Sequence, residues 1–418
     1  MSTAEVTRTF DVAKVKADFP LLQRELKGGP IHYLDSAASS QKPQVVIDAM
    51  TTYYETINAN VHRGVYEIAE AATNALEASR VRVGRFIGAP NPETEVIFSK
   101  NATESLNLVA RSWGGANLGP GDAVLLTQLE HHANIVPWFQ LQAEKGFEIR
   151  WIPLTADAQL DLTDIDRLLD GVKLLALTAM SNVTGTLTPV RELTEKAHAA
   201  GALVCLDACQ YVPHLATDVV SLGVDFAAFS GHKMLGPTGI GVLWGREALL
   251  DAMPTFLGGG GMILNVTLDG FTPAAPPAKF EAGTPPVAEI IGLHAAVDYL
   301  DALGMDAVRE HEVTITAYAL RTLTERFGEA LTIHGPAEPA ARGGVLSLAM
   351  EGIHPHDLAQ VLDEHAVCVR PGHHCAKPLM KVLGVGATAR ASFYVYNDTD
   401  DVDALADALG EAADFFSF

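Results

Sequence analysis

Two short apolar runs, Ala202 to Leu206 and Phe226 to Phe229, are continuous rather than alternating, and they narrow the possible folds more than any other stretch. Strands buried on both faces read this way, and such strands belong to a mostly parallel sheet covered by helices. Each run ends in polar residues. The first delivers Asp207 and Gln210; the second delivers Ser230, Gly231, His232 and Lys233 before a third run, Ile240 to Trp244, resumes. Lysine is almost never fully buried unless paired. Lys233 follows a buried strand, has no helix of its own to sit on, and is flanked by Gly231 and Gly236, which let backbone approach a ligand. Desolvation favours its neutral amine, the form that attacks an aldehyde.

The same alternation of strand and helix patterns extends from about 31 to 300, which predicts a mostly parallel, doubly wound α/β sheet. No GxGxxG opens the first helix, so a dinucleotide fold is not expected. Beyond Gly304 the pattern changes to long helices with short strands, among them Phe393 to Tyr396. This predicts a large domain over 24–304 and a smaller α+β domain formed by 1–23 and 305–418. With 51 Asp and Glu against 29 Lys and Arg, the net charge of -22 argues against a nucleic-acid or anionic-membrane partner. No apolar run approaches the ~20 residues that span a bilayer, and the N-terminus has no signal-peptide core, so the expected location is the cytoplasm. Four cysteines, Cys205, Cys209, Cys368 and Cys375, form no CxxC pair, and the paired His131 and His132 lack a third ligand at a metal-site spacing, so no metal is expected.

Several strand ends carry further candidates. The strand Glu95 to Phe98 runs into Asn101-Ala102-Thr103-Glu104 at a helix start, which suits a phosphate group and equally suits a plain N-cap. Ala123 to Thr127 leads to Glu130-His131-His132-Ala133-Asn134. Lys173 to Thr178 leads to Ser181-Asn182-Val183-Thr184-Gly185, where Asn182 has an amide to donate or simply a turn to make. Arg370-Pro371-Gly372-His373-His374-Cys375 sets a thiol beside two histidines and an arginine, an electropositive setting that favours thiolate. Cys205 and Cys368, inside apolar strands, read as inert, and Cys209 stands one residue from Gln210.

The segments DACQ (207–210) and SGHKMLGPTGIG (230–241) resemble those of fold-type I pyridoxal phosphate enzymes of the class V aminotransferase group. RPGHHCAKP (370–378) narrows the resemblance to the SUF-type, or group II, cysteine desulfurases, over nearly the whole chain. The resemblance implies pyridoxal phosphate on Lys233, with Asp207 at the ring nitrogen and His131 stacked on the ring. It implies Ala102, Thr103, Ser230 and His232 near the phosphate, with Asn182 and Gln210 on the cofactor. Alanine stands at 102 where many members have threonine, so backbone N–H must serve there. Cys375 becomes the persulfide carrier for sulfur taken from L-cysteine. Arg390 is the main clamp for the substrate carboxylate with Arg370 near it, since guanidinium grips a carboxylate bidentately. VHRG (61–64) makes His62 and Arg63 secondary site residues. FEAGTP (280–285) implies that Thr284 reaches the phosphate of a neighbouring subunit, hence a homodimer. His354 and His356 are candidate contacts for a sulfur-acceptor protein of the SUF system, zinc-dependent in some relatives, supplying iron–sulfur cluster assembly. Selenocysteine lyase, cysteine sulfinate desulfinase and class V aminotransferase activities share the Asp207 and Lys233 pattern, and a non-catalytic sulfur carrier would keep Cys375 alone.

Overall fold

The computed structural model describes residues 10–416, so residues 1–9 and 417–418 of the expected smaller domain lie outside it. A short hairpin, β1 (Glu25–Leu26) and β2 (Gly29–Pro30), precedes β3 (His32–Tyr33). The next seven strands are β4 (Val96–Ser99), β5 (Ala123–Thr127), β6 (Glu148–Ile152), β7 (Val172–Thr178), β8 (Leu203–Asp207), β9 (Phe226–Ser230) and β10 (Gly241–Gly245). They form one sheet in the order β4-β10-β9-β8-β7-β5-β6. All neighbours are parallel except β10, which runs antiparallel to both β4 and β9. Two reversals cancel, so β4 points the same way as β9. The carboxyl ends of β4, β5, β7, β8 and β9 therefore meet at one edge, where open α/β sheets place ligands.

The continuous apolar runs are explained by burial on both faces. Val204, Leu206, Ala227 and Phe229 join one core with the helices Gln44–Thr56, Glu67–Phe86 and Val287–Leu303, while Cys205, Phe226 and Ala228 join a second core on the other side. At the working edge the packing is tight. Gly241 pairs with both Ser99 and Ser230, and a Cβ there would lie 2.4 Å from the Asn101 backbone.

A hairpin of β11 (Ile263–Val266) and β12 (Phe271–Pro273) leaves the large core, and the helices Val287–Leu303 and Met305–Phe327 then meet at Gly304. A second sheet contains β13 (Leu331–His334), β14 (Val345–Met350), β16 (Arg370–Gly372) and β17 (Thr388–Ser392) in the order β13-β14-β17-β16, and β15 (Val367–Cys368) pairs in parallel with β3. Residues 32–35 fall inside the expected 24–304 unit, yet β3 and Leu34 pack with this smaller sheet and its helices. The strand expected at Phe393–Tyr396 is also displaced. Asn397 Oδ1 accepts the Tyr394 N–H at 2.8 Å and turns the chain there, so the strand ends at Ser392 and Arg390 sits in its centre rather than ahead of it. Among the described residues no helix is long and apolar enough to cross a membrane.

The tight seam at Gly241 gives a stability prediction. Gly241→Ala should cost about 2–3 kcal/mol, because overpacking against backbone cannot relax by a rotamer change. Urea titration of wild type and variant measures it.

Candidate active site

The strand ends enclose a cleft of about 190 Å³ lined by Ala102, Thr103, His131, Asn182, Asp207, Gln210, Ser230, His232, Lys233, Arg370 and Arg390. Each was expected from sequence. The structure adds Ala37, Ala38, Asn101, Ala133, Thr178, Met180 and Cys209 to the lining.

Asp207 and Lys233 are adjacent-strand products. Asp207 closes β8 and is 4% exposed, and its Oδ1 accepts the Cys209 N–H at 3.0 Å. Neither its carboxylate nor the Lys233 ammonium takes part in an ion pair among the described residues, and Lys233 Nζ has no hydrogen-bond partner there. A buried carboxylate without a cation is costly unless a ligand supplies one. The protonated nitrogen of a pyridine ring meets that need, and the free amine of Lys233 meets an aldehyde. At the other end, Asn101 Oδ1 caps the helix by accepting the Glu104 N–H at 3.0 Å, and Ala102 N donates to Ser230 Oγ at 2.9 Å. Thr103 is exposed, and its hydroxyl has no hydrogen-bond partner among the described residues, so its Oγ1 is free for an anion. These features fit pyridoxal phosphate.

His131 Nδ1 accepts the Ala133 N–H at 3.0 Å, which leaves the proton on Nε2. Burial and then the Lys233 charge pull this ring down to about 3, so it is neutral. His232 falls to about 4 through burial, Lys233 and Lys42. Gln210 lines the cleft and donates Nε2 to Ala37 O at 2.8 Å.

The two arginines are cross-strand partners, Arg370 opposite Arg390 in the β16–β17 register. Like charges so placed repel unless carboxylates intervene. Asp35 supplies one: Arg390 Nη2 reaches its Oδ1 at 3.0 Å, while Nη1 donates to Asn182 O at 2.9 Å. Arg390 Nε is buried and has no partner among the described residues, and Nη1 and Nη2 each keep a second N–H beyond the bonds just named. Arg370 Nη2 lies 3.8 Å from Cys375 Sγ, so the thiol has its cation, while Cys375 itself stands beside the cleft and not in its lining.

The Cys375 loop is strained and pinned. His374 and Cys375 both have left-handed backbone, φ 51° and 55°, which is rare for residues with side chains. Asn182 Nδ2 donates to His374 O at 2.8 Å, His132 N donates to Cys375 O at 2.7 Å, Lys377 N donates to His132 Nε2 at 2.9 Å, and His374 Nε2 meets Thr388 Oγ1 at 2.8 Å. The Asn182 amide expected on a ligand thus has one hydrogen engaged by the loop.

Besides Cys375, five expected residues lie outside this cleft. His62 and Arg63 occupy an exposed turn, where His62 N donates to Thr73 Oγ1 at 2.9 Å. Thr284 lines a separate depression with Lys100, Glu281 and Phe256. His354 caps the helix Pro355–Glu364 through Nδ1, and its exposed ring stacks on that of His356 with centroids 5.2 Å apart.

Glu130 was not singled out, although it opens the EHHAN segment. Fully buried, it accepts from Thr127 Oγ1 at 2.6 Å, Asn134 Nδ2 at 2.7 Å and Thr178 N at 2.9 Å, tying the His131 turn to β7. Burial outweighs these donors and pushes its acid up to about 8. Cys209, a minor oddity in the sequence, lines the cleft, and burial followed by Asp207 pushes its thiol up.

The aminotransferase class-V family model matches residues 32–405. A probable cysteine desulfurase of Streptomyces coelicolor is 48% identical over 413 residues, covering 97% of this chain and 98% of that one. A cysteine desulfurase of Serratia proteamaculans is 47% identical, covering 96% and 98%. Among solved structures, the apo cysteine desulfurase of Thermococcus onnurineus is similar with a TM-score of 0.91 at 39% identity, covering 96% of this chain and 98% of that one. The S-sulfonic acid form of the Escherichia coli cysteine desulfurase CsdA gives 0.87 at 37%, covering 97% and 99%.

Glu130 generates a pH prediction. Its folded value lies above the unfolded one near 4.5, so its protonated form favours the folded state, and that contribution is lost as pH rises from about 5 through about 8. Denaturant titrations at pH 5 and pH 8 should show wild type losing stability over this window and Glu130→Gln losing less.

Proposed function

The chain belongs to the class-V aminotransferase family and, within it, to the cysteine desulfurases, and from that premise we propose the roles of its residues. The observation that carries the reading is the conjunction, at one cleft, of Asp207 and Lys233 from the edge of the large sheet, neither with an ion-pair partner among the described residues, and a thiol held 3.8 Å from Arg370 on the loop that follows β16 of the smaller sheet.

Lys233 and Asp207, with Ala102, Thr103, Ser230 and His232 at the phosphate end and His131 on the ring, would hold pyridoxal phosphate. Bound there, it would supply an aldehyde for the substrate amine and a ring that withdraws electrons from the substrate Cα. Asp207 keeps the proton on the ring nitrogen. Lys233 Nζ, once free, takes the proton from Cα. Arg390, oriented by Asp35 and Asn182 O, and Arg370 receive the carboxylate of L-cysteine. The Cys375 thiolate attacks the substrate sulfur. The S–S bond forms as the Cβ–S bond breaks and the electron pair stays with Cβ; a proton delivered to Cβ and the proton returned by Lys233 Nζ to Cα give L-alanine, while the persulfide stays on Cys375. His131 Nε2–H is the proton donor facing this step.

We further read the enzyme as SUF-type, acting as a homodimer in the cytoplasm. The RPGHHCAKP segment supports the subtype, and the free state of all four cysteines fits a reducing compartment. His62, Arg63 and Thr284 lie outside their own cleft, which fits residues that serve a second copy. The exposed His354 and His356 are available to an acceptor protein that carries sulfur to iron–sulfur cluster assembly.

Alanine released from L-cysteine with a thiol reductant present tests the core of this scheme. Cys375→Ser should lower the rate on the order of 10³-fold, and Lys233→Ala should do the same, as loss of a nucleophile or base does elsewhere. Undiminished alanine from Cys375→Ser would remove the persulfide role. Selenocysteine as substrate, with turnover retained in that variant, would favour the lyase reading.

A further inference from the structure

Lys42 belongs to none of the groups assigned above, yet it is tied to the same turn as Lys233. The strap from Asp35 to Lys42 runs from the smaller sheet to that turn. Asp35 meets Arg390, Ala37 N donates to Ser392 Oγ at 2.9 Å, and Gln41 N donates to the Tyr396 hydroxyl at 3.1 Å. At the far end four donors converge on one carbonyl, His232 O: Ser40 N at 3.0 Å, Ser39 Oγ at 3.2 Å, Ser40 Oγ at 3.2 Å and Lys42 Nζ at 3.1 Å. Ser40 Oγ also accepts the Leu235 N–H at 2.8 Å, and Lys42 Nζ donates to Ser40 O, closing the strap on itself.

A carbonyl oxygen has two lone pairs, so four donors saturate it, and Lys42 is the charged one among them. Charge-assisted hydrogen bonds are roughly twice as strong as neutral ones. The His232 carbonyl lies in the same rigid peptide plane as Lys233 N. Fixing that oxygen fixes the direction in which the Lys233 Cα leaves the turn, and with it where Nζ arrives.

We propose that Lys42 is a positioning residue for Lys233, holding the His232–Lys233 peptide so that the Lys233 amine faces the cleft. Lys42 is half-buried, and burial pulls its ammonium down to about 8. The titratable side chain it faces is His232. The proposal rests on the reading that Lys233 carries the cofactor and moves the Cα proton.

Three variants separate the contributions: Lys42→Met keeps the stem and loses the donor, Lys42→Gln keeps an uncharged donor, and Lys42→Arg keeps the charge. In the holoenzyme, Lys42→Met should lower kcat for alanine release roughly tenfold to a hundredfold with KM for L-cysteine within about twofold, as misplacement of a reacting group does. It should also shift the pH midpoint of the cofactor's visible absorption, and Lys42→Arg should recover most of both. Cofactor-stripped protein gives a readout free of turnover: borohydride capture of added pyridoxal phosphate on Lys233, followed by mass spectrometry, should slow by a similar factor in Lys42→Met. Wild-type kcat, midpoint and capture rate in Lys42→Met, with only a lower Tm, would overturn the proposal. Should Lys42→Met fail to fold, Lys42→Gln carries the same comparison. Capture undiminished in Lys233→Ala would overturn the reading of Lys233 and with it the proposal, an outcome distinct from a Lys42→Met variant that behaves as wild type while Lys233→Ala loses capture.

Discussion

An ionised carboxylate buried without a cation of its own is an unstable thing to build, and the larger half of this molecule is arranged around one. Asp207 sits at the end of a strand whose other residues are wholly apolar, 4% exposed and in no ion pair among the described residues. The sheet tolerates it because the strand ends open onto a cleft rather than onto core. A ligand bearing a positive charge would complete the site electrostatically, and the neighbouring strand delivers the amine that would hold such a ligand. The parallel direction of β7, β8 and β9, and the double reversal through β10 that returns β4 to the same sense, are what bring these groups to one edge.

The thiol obeys a different logic. Cys375 belongs to the smaller sheet, held in a backbone conformation that side chains disfavour, and the strain is offset by hydrogen bonds from the larger half: His132 to its carbonyl and Asn182 to the carbonyl before it. The Arg370 and Arg390 pair supplies positive potential, and Asp35 balances part of it. The strap from Asp35 to Lys42 then links this arginine pair to the Lys233 turn. One short segment thereby connects the arginine pair beside Cys375 with the turn that carries Lys233.

Much of this was legible before any coordinates. Continuous apolar runs mark strands buried on both faces, because alternation is lost when both sides pack, and polar residues just past such runs mark a ligand edge. Asp207, Lys233, His131 and Cys375 were legible for that reason, helped by the family resemblance. Glu130 and Lys42 were not singled out, since each acts through a contact with a distant segment and nothing in its local pattern reports that contact. Arg390 was recognised but placed ahead of its strand, because Asn397, a residue outside the apolar run, ends the strand early.

The sequence by itself determined the sheet, its hydrophobic runs and the chemical types available at its edge, because period and residue type are local properties. Tertiary structure alone decided which charges were paired and which were left open. Asp35 rather than solvent meets Arg390, Lys42 meets the carbonyl beside Lys233, and Asp207 is in no ion pair among the described residues. Pairing depends on distance across the fold, and distance between segments hundreds of residues apart is written only in the packed chain.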